Sequence, residues 1–213
     1  MKRDQVSDSL ITTITDRGAA DLLGDATEAA LDDFLADGVL KNVPIVGSLM
    51  KIAKVGVGIS DYLFLKKVAR FLHELNDVTD EERHEFLGRL QVDDEHRREV
   101  GETLMLLLDR IDDMNKATLL ARGFKAYLQG RIDQDTFRRI GFAIDTLYLG
   151  FIQQLACLRE PDLVNLRAHV SWNFATCGIL EPSGQPPNRS GIQLLPYKFT
   201  EFGETFQSVV LEC

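Results

Sequence analysis

The sequence predicts a mainly α-helical fold: a multi-helix bundle followed by a small C-terminal module that contains a hairpin and a helix. Apolar residues recur three and four positions apart through most of residues 1–160, which is the period of a helix with one buried face. Residues that cap helices stand in front of several of these stretches. A loop rich in proline, glycine and serine interrupts only the last quarter of the chain. We therefore expect two domains, 1–160 and 161–213.

The first helices are indicated by apolar spacing and by residues that stop a helix. One apolar stripe runs through residues 19–37, and Gly38 follows where that helix would end. Pro44 suits the first turn of the next helix, because proline lacks an amide hydrogen that this turn leaves unused. The apolar pattern then continues to Leu75, and we expect a bend near the glycines of residues 56–58.

Capping residues predict where the central helices begin. Thr79 and Glu82 suit a capping box, in which each side chain accepts a hydrogen bond from the other residue's backbone amide. The helix that they open should end near Leu90. Asp93 or Asp94 suits the cap of the following helix, whose strongly apolar stripe predicts a place in the core.

Two more helices should complete the bundle. One is predicted over residues 116–128, and it ends at Gly130, where we expect a left-handed backbone conformation. Asp133 suits the cap of the last long helix, which starts at Gln134 and continues until Pro161 ends it.

The chain after Pro161 differs from the preceding residues in its sequence pattern. A helix is predicted over residues 163–177, closed by Gly178 and followed by a loop, a short apolar run at 192–199 and a helix that starts with Thr200-Glu201-Phe202-Gly203. This order resembles the second half of winged-helix domains. The resemblance implies DNA binding, but the first of these helices offers few groups that could reach bases or phosphates: Asn165, Arg167, His169 and Asn173. We expect a packing or dimerising module, and we do not expect nucleic acid as a partner.

Charge is distributed unevenly along the chain, whose formal net charge is -9. Residues 1–40 and 73–116 are strongly acidic. Residues 41–72 between them carry six basic side chains and one acidic side chain. An acidic chain is poorly suited to hold nucleic acid by bulk attraction to phosphate, so any contact with an anion should be local to the basic segment.

Residues 42–72 carry the first functional hypothesis. As a helix, this segment would place lysines above an apolar stripe, as helices that lie on an anionic membrane surface or dock on a partner do. Its longest uncharged run has nine residues, against the roughly 20 that a membrane span needs. The residues assigned to this contact surface are Ile45, Leu49, Lys51, Ile52, Lys54, Ile59, Leu63, Lys66 and Lys67.

A second interpretation of the same segment stays open. It could be a core helix whose glycines let a neighbour approach closely and whose lysines pair with the acidic flanks. Both interpretations hold together if the helix is packed against acidic neighbours at rest and released when a trigger binds the open form more tightly.

Catalytic motifs are sparse. Asp109, Asp112 and Asp113 form the one carboxylate cluster on a predicted helical face, and such spacing can hold Mg²⁺ or raise the pKa of one carboxyl. Such residues near a helix end are more often solvated charges, and Arg110 and Lys116 lie close by. We expect no metal and no cofactor.

The cellular compartment follows from cysteine usage and from the first residues. Three cysteines are widely separated and odd in number, which suggests no disulfide framework. The N-terminus lacks the apolar run of an export signal. We expect a cytoplasmic protein that reaches a membrane periphery on activation.

Four segments carry a family resemblance. Residues 43–47 read Val-Pro-Ile-Val-Gly, residues 61–67 read Asp-Tyr-Leu-Phe-Leu-Lys-Lys, and residues 101–104 read Gly-Glu-Thr-Leu, with Asp-Arg-Ile-Asp-Asp at 109–113. In this order the chain is similar to bacterial helical proteins whose relatives include the abortive-infection type found among phage-defence genes. The resemblance spans most of residues 35–160 and implies a regulated, membrane-directed defence role without catalytic residues.

Three functions from different classes follow as hypotheses. The first is an effector or adaptor of anti-phage defence that acts through residues 42–72 on a protein partner, on a second copy of itself or on an anionic membrane. The second is a transcriptional regulator that uses the C-terminal module. The third is a metal-dependent hydrolase that uses Asp109, Asp112 and Asp113.

Overall fold

The structure, a computed structural model, describes residues 2–24, 39–52, 59–183 and 197–211. The fold is mainly α-helical, as predicted. The predicted stop at Gly38, the predicted bend at residues 56–58 and most of the predicted stripe at 19–37 lie outside the described residues.

The chain divides into two compact units, Met1–Ile132 and Asp133–Cys213. The first contains a 3₁₀ turn at Val39–Asn42 and the α-helices Lys2–Thr15 (α1), Arg17–Gly24 (α2), Pro44–Ile52 (α3), Ile59–His73 (α4), Asp80–Gln91 (α5), Asp94–Arg110 (α6) and Met114–Leu128 (α7). The second contains Gln134–Thr146 (α8), Leu149–Cys157 (α9), a 3₁₀ turn at Glu160–Asn165, Ala168–Thr176 (α10), strands Leu180–Pro182 (β1) and Tyr197–Phe199 (β2), and Glu201–Phe206 (α11) with a π-helical turn at Gln207–Leu211.

The boundary between the units falls 28 residues before the predicted one at 160/161. The helices α8 and α9 belong to the second unit because they pack on its C-terminal elements. The guanidinium of Arg139 in α8 lies 4.1 Å from the ring centroid of Phe202. The side-chain amide of Gln207 donates to the carbonyls of Leu155 and Leu158, at 2.8 and 3.1 Å. These contacts join positions 49 to 63 residues apart in the chain, which spacing patterns do not reveal.

Several predicted helix ends are confirmed. The capping box is present: the Thr79 hydroxyl accepts from the Glu82 amide at 3.2 Å, and the Glu82 carboxylate accepts from the Thr79 amide at 2.8 Å. Asp93 caps α6, and Asp133 caps α8. Gly130 adopts a φ of 72°, the left-handed conformation that glycine reaches without strain.

Three predicted helices have different bounds. The long helix from Gln134 is wrong as a single element, because Leu147 is extended and fully buried, and α8 and α9 meet there at 117°. The helix at 163–177 starts only at Ala168, because the two residues before it are extended. The helix at 116–128 starts two residues earlier, where the Asp113 carboxylate accepts from the Asn115 amide at 2.8 Å.

The core of the first unit lies between α1 and the helices around it. Helix α1 packs against α3 and α6, α2 packs against α4, and α4 packs against α7. Helices α1 and α6 approach closely at Gly101, where an added Cβ would lie 2.8 Å from the carbonyl oxygen of Ser7. The rings of Phe86 and Phe124 meet edge to face, with centroids 5.5 Å apart.

The second unit has one two-stranded antiparallel pairing in the described part, with Leu180 opposite Phe199. The strands follow α10 and precede α11, in the predicted order of helix, hairpin and helix. The Thr200 hydroxyl caps α11 by accepting from the Gly203 amide at 2.9 Å. The winged-helix architecture itself stays a prediction.

Candidate interaction surface

The N-terminal half of α3 belongs to the core. Ile45 and Val46 are fully buried, and the Ile45 amide donates to the Thr13 hydroxyl of α1 at 3.1 Å. The hydroxyls of Ser9 and Ser48 form a second link between these helices at 2.5 Å. A tertiary side chain thus satisfies an amide that the helix start leaves without an internal partner. This half of the predicted surface is sealed, as the core-helix interpretation expects.

The predicted apolar face is divided between interior and solvent. Leu49 is half-buried, whereas Leu63 in α4 has 43% of its surface exposed. The inward face of α4 is formed by the buried residues Phe64, Leu65, Val68, Phe71 and Leu72. The side chains of Ile52 and Ile59, and all of Lys54, lie outside the described residues. Residues 53–58, between α3 and α4, lie outside the described residues, so a single periodicity across both helices stays a prediction.

The described lysines of the segment have different surroundings. Lys51 is exposed, and the Lys66 ammonium lies 4.9 Å from the ring centroid of Tyr62. The Lys67 ammonium donates to the backbone carbonyl of Asp109 at 2.9 Å. Burial lowers the pKa of Lys67, and Asp109 opposes this effect. Lys67 therefore pairs within the chain, whereas Lys51 faces solvent.

The carboxylate cluster is divided among structural roles. Asp112 forms an ion pair with the buried Lys116 at 2.8 Å, and this hydrogen bond lowers the pKa of Asp112. Asp113 caps α7. Asp109 lies at the end of α6 and lines a hollow. Among the described residues, no three His, Cys, Asp or Glu side chains are grouped so that they could hold a metal ion.

A hollow of about 170 Å³ lies where α1, α3, α4 and α6 meet. It is lined by Val6, Leu49, Ser60, Asp61, Phe64, Met105, Leu106 and Asp109. Leu106 has 47% of its surface exposed. Leu63 lies one helical turn after the lining residue Ser60 in α4. We call these lining residues together with Leu63 the hollow surface.

Part of the hollow surface is predictable from the sequence. Leu49 and Leu63 were predicted in a contact surface and Asp109 in a carboxylate site, and the fold brings Leu49 and Asp109 to one hollow. Val6, Met105 and Leu106 were not predicted. Leu106 carried a usable signal, because it is a large apolar residue outside the buried stripe of α6.

Among the described helices, no single helix is both long enough and apolar enough to span a membrane. The pair α8 and α9 passes that test together, but the two helices are bent by 117°.

Comparison of the chain with known protein families, with curated proteins and with solved structures finds no match.

Proposed function

We propose that this protein is a regulated adaptor or effector of a bacterial anti-phage defence system, and that it acts by binding a protein partner through the hollow surface. The defence setting rests on the sequence resemblance of residues 43–47, 61–67 and 101–113. The binding role rests on the exposure of large apolar side chains on the helices that line the hollow.

The exposed leucines are the observation that carries the binding role. Leu63 and Leu106 have 43% and 47% of their surfaces exposed, on helices that meet at the hollow. Removing apolar surface from water contributes roughly 25 cal/mol per Å², so a partner that covered these side chains would gain free energy on binding. Interface centres are typically apolar, with polar residues around them. Asp61 supplies a polar position in the hollow, and the exposed Lys51 follows the lining residue Leu49 by two residues in α3.

A membrane is the alternative occupant of the same surface. The exposed ammonium of Lys51 would meet anionic headgroups while Leu63 entered the acyl boundary. A metal-dependent hydrolase is not proposed, because Asp112 and Asp113 hold an ion pair and a helix cap.

The test is a double substitution, Lys51→Glu with Leu63→Glu, in bacteria that express the chain and are challenged with a panel of phages. We expect the wild type to reduce plaque formation and the variant to lose that protection, because the substitution places a carboxylate at Leu63 of the hollow surface and another at residue 51, two residues after the lining residue Leu49. The matched control is Lys41→Glu with Leu22→Glu, which changes an exposed lysine and a leucine with 40% exposure away from the hollow.

Circular dichroism of the two purified variants is used to check that both keep their helices. Fractionation of the same cells, with vesicles of anionic lipid as an in vitro counterpart, separates a membrane occupant from a protein occupant. Equal plaque formation with the wild type and the Lys51→Glu, Leu63→Glu variant would contradict the proposed function.

A further inference from the structure

We infer that the second unit binds a second copy of the chain through an exposed aromatic strip. The strip is formed by Phe142 in α8, Tyr148 and Phe151 at the start of α9, and His169 and Trp172 in α10. All five residues belong to the second unit, and none of them lies in the hollow surface. This pairing therefore goes beyond the proposed function.

Ring contacts and helical spacing join the members of the strip. The ring centroids of Tyr148 and Phe151 lie 5.6 Å apart, and those of Phe151 and His169 lie 6.0 Å apart. Trp172 follows the exposed His169 by three residues, so the two share one side of α10. Phe142, Tyr148 and Trp172 have 53%, 70% and 67% of their surfaces exposed. Large aromatic side chains thus face solvent along the strip.

A groove of about 400 Å³ lies beside the strip, between α8 and the end of α10. A cavity of about 150 Å³ holds a benzene molecule, so the groove has room for an indole ring. The Thr176 hydroxyl in the groove wall donates to the Trp172 carbonyl at 2.5 Å, one turn earlier in α10. The residues that line the groove are Arg138, Arg139, Phe142, Thr176, Cys177 and Gly178.

The same face therefore carries both a groove and an exposed indole that can fill one. A two-fold symmetric interface requires such a self-complementary surface, because each copy presents the same residues to the other. In the dimer, Trp172 of each copy enters the groove of the other copy and stacks against Phe142. A different protein would have to supply an aromatic anchor of its own, whereas a second copy already has one.

The exposed aromatic area suits a dimer that dissociates on dilution. An aromatic side chain buries about 150–250 Å², so the exposed fractions of Phe142, Tyr148 and Trp172 amount to roughly 400 Å² per copy. A stable interface buries about 800 Å² per partner, so three side chains supply about half of that area. Aromatic residues are also enriched in interfaces relative to the rest of the surface.

The pairing does not depend on charge. Two charged residues line the groove, Arg138 and Arg139. The guanidinium of Arg139 lies over the ring of Phe202, and Arg138 also interacts within the chain. Asp145, one turn after Phe142 in α8, interacts within the chain as well. The two residues that meet across the dimer, Phe142 and Trp172, are uncharged.

The test is sedimentation equilibrium of the purified full chain over a series of concentrations, with Trp172 emission measured on the same samples. We expect the average mass to rise from that of one chain toward that of two. The emission should shift to shorter wavelength over the same concentrations, because the indole leaves water. Trp172 is the single tryptophan, so the shift reports on the strip.

Variants on two helices locate the interface. Phe142→Glu in α8 and Trp172→Lys in α10 should each raise the dimer dissociation constant at least about tenfold, because each puts a charge into an apolar contact. The matched control is Leu22→Glu, at a leucine with 40% exposure in the first unit, which should leave the constant unchanged. Circular dichroism of dilute samples checks that all three variants keep their helices.

Several outcomes overturn the inference. They are a chain that stays monomeric at every concentration, a dimer that Phe142→Glu leaves intact, and a Trp172 that acrylamide does not quench in the dilute monomer. Vesicles of phosphatidylcholine and phosphatidylglycerol that shift the emission of an otherwise monomeric chain would assign the strip to a membrane and overturn it too. None of these outcomes decides the proposed function, which stands or fails on the plaque assay with Lys51→Glu and Leu63→Glu.

Discussion

At the scale of single residues, Arg83 is a charged side chain inside the core of the first unit. It has 1% of its surface exposed and donates to the carbonyl of Ile14, near the end of α1, and to that of Leu75, beyond the end of α4, the latter at 2.8 Å. Burial lowers the pKa of Arg83, and Asp21 opposes this effect. One guanidinium thus links the end of α1 to the turn after α4: it donates to the carbonyl of Ile14 and shares the carbonyl of Leu75 with the Val78 amide.

Replacement of Arg83 should therefore be costly. Arg83→Met removes the guanidinium donor from the Ile14 carbonyl and one of the two donors to the Leu75 carbonyl, so we expect a loss of about 1–3 kcal/mol in the free energy of unfolding. Urea unfolding followed by circular dichroism measures it. The control is Arg98→Met, because Arg98 is exposed and pairs at 3.8 Å or more, so its loss should stay within about 0.5 kcal/mol. Equal effects of the two substitutions would contradict this role.

The cysteines differ in reactivity because they differ in burial. Cys177 has 7% of its surface exposed, and burial raises its pKa to about 11, whereas Cys157 is exposed. At pH 8 the Cys177 thiol stays protonated, and the thiolate is the form that reacts. We expect iodoacetamide to modify Cys157 in the native protein and Cys177 only after unfolding.

Tryptic peptides separate the two thiols, since residues 140–159 contain Cys157 and residues 168–189 contain Cys177. Mass spectrometry of both peptides over time gives the two rates. Comparable rates in the folded protein would contradict the burial of Cys177.

At the scale of elements, glycine sets the distance between α11 and the turn that follows α10. A Cβ at Gly203 would lie 2.1 Å from the carbonyl oxygen of Ile179. That obstacle is backbone, so a rotamer change cannot relieve the overlap. The Ile179 carbonyl also accepts from the Thr200 amide at 3.1 Å, which ties the start of α11 to the same point.

We expect Gly203→Ala to destabilise the second unit by about 1–3 kcal/mol or more, because α11 must move away from the turn. Urea unfolding followed by the emission of Trp172, the single tryptophan, reports on this unit. The control is Gly88→Ala on an exposed helix face, where nothing lies within 4 Å of the new Cβ, and it should stabilise α5 by roughly 0.5–1 kcal/mol. A neutral Gly203→Ala would show that α11 does not need this close approach.

Helix starts were easier to predict than the breaks between helices. The caps at Thr79, Asp93 and Asp133 depend on a side chain and an amide two or three residues away, so spacing reveals them. The break at Leu147 has no proline or glycine at that position. It depends on a buried leucine, and thus on neighbours that only folding supplies.

At the scale of the whole molecule, the charge pattern has a partial structural explanation. In one of the two interpretations the lysines of the basic segment pair with its acidic flanks, and the Lys67 ammonium donates to the backbone carbonyl of Asp109 in one such flank. Lys51 is exposed, so its charge is available to solvent or to a partner. The contact surface predicted within residues 42–72 therefore combines residues buried in the core with residues exposed to solvent.

The sequence by itself determined the mainly helical class, the helix caps and the left-handed glycine at residue 130, because these depend on residues a few positions apart. Tertiary structure decided the division at residues 132/133, the burial of Ile45 beside the exposure of Leu63, and the meeting of Leu49 with Asp109 at one hollow. The physical reason is that burial is a property of packed surfaces. Spacing along the chain shows which side chains share a helix face, but contacts between distant segments decide which parts of that face remain in water.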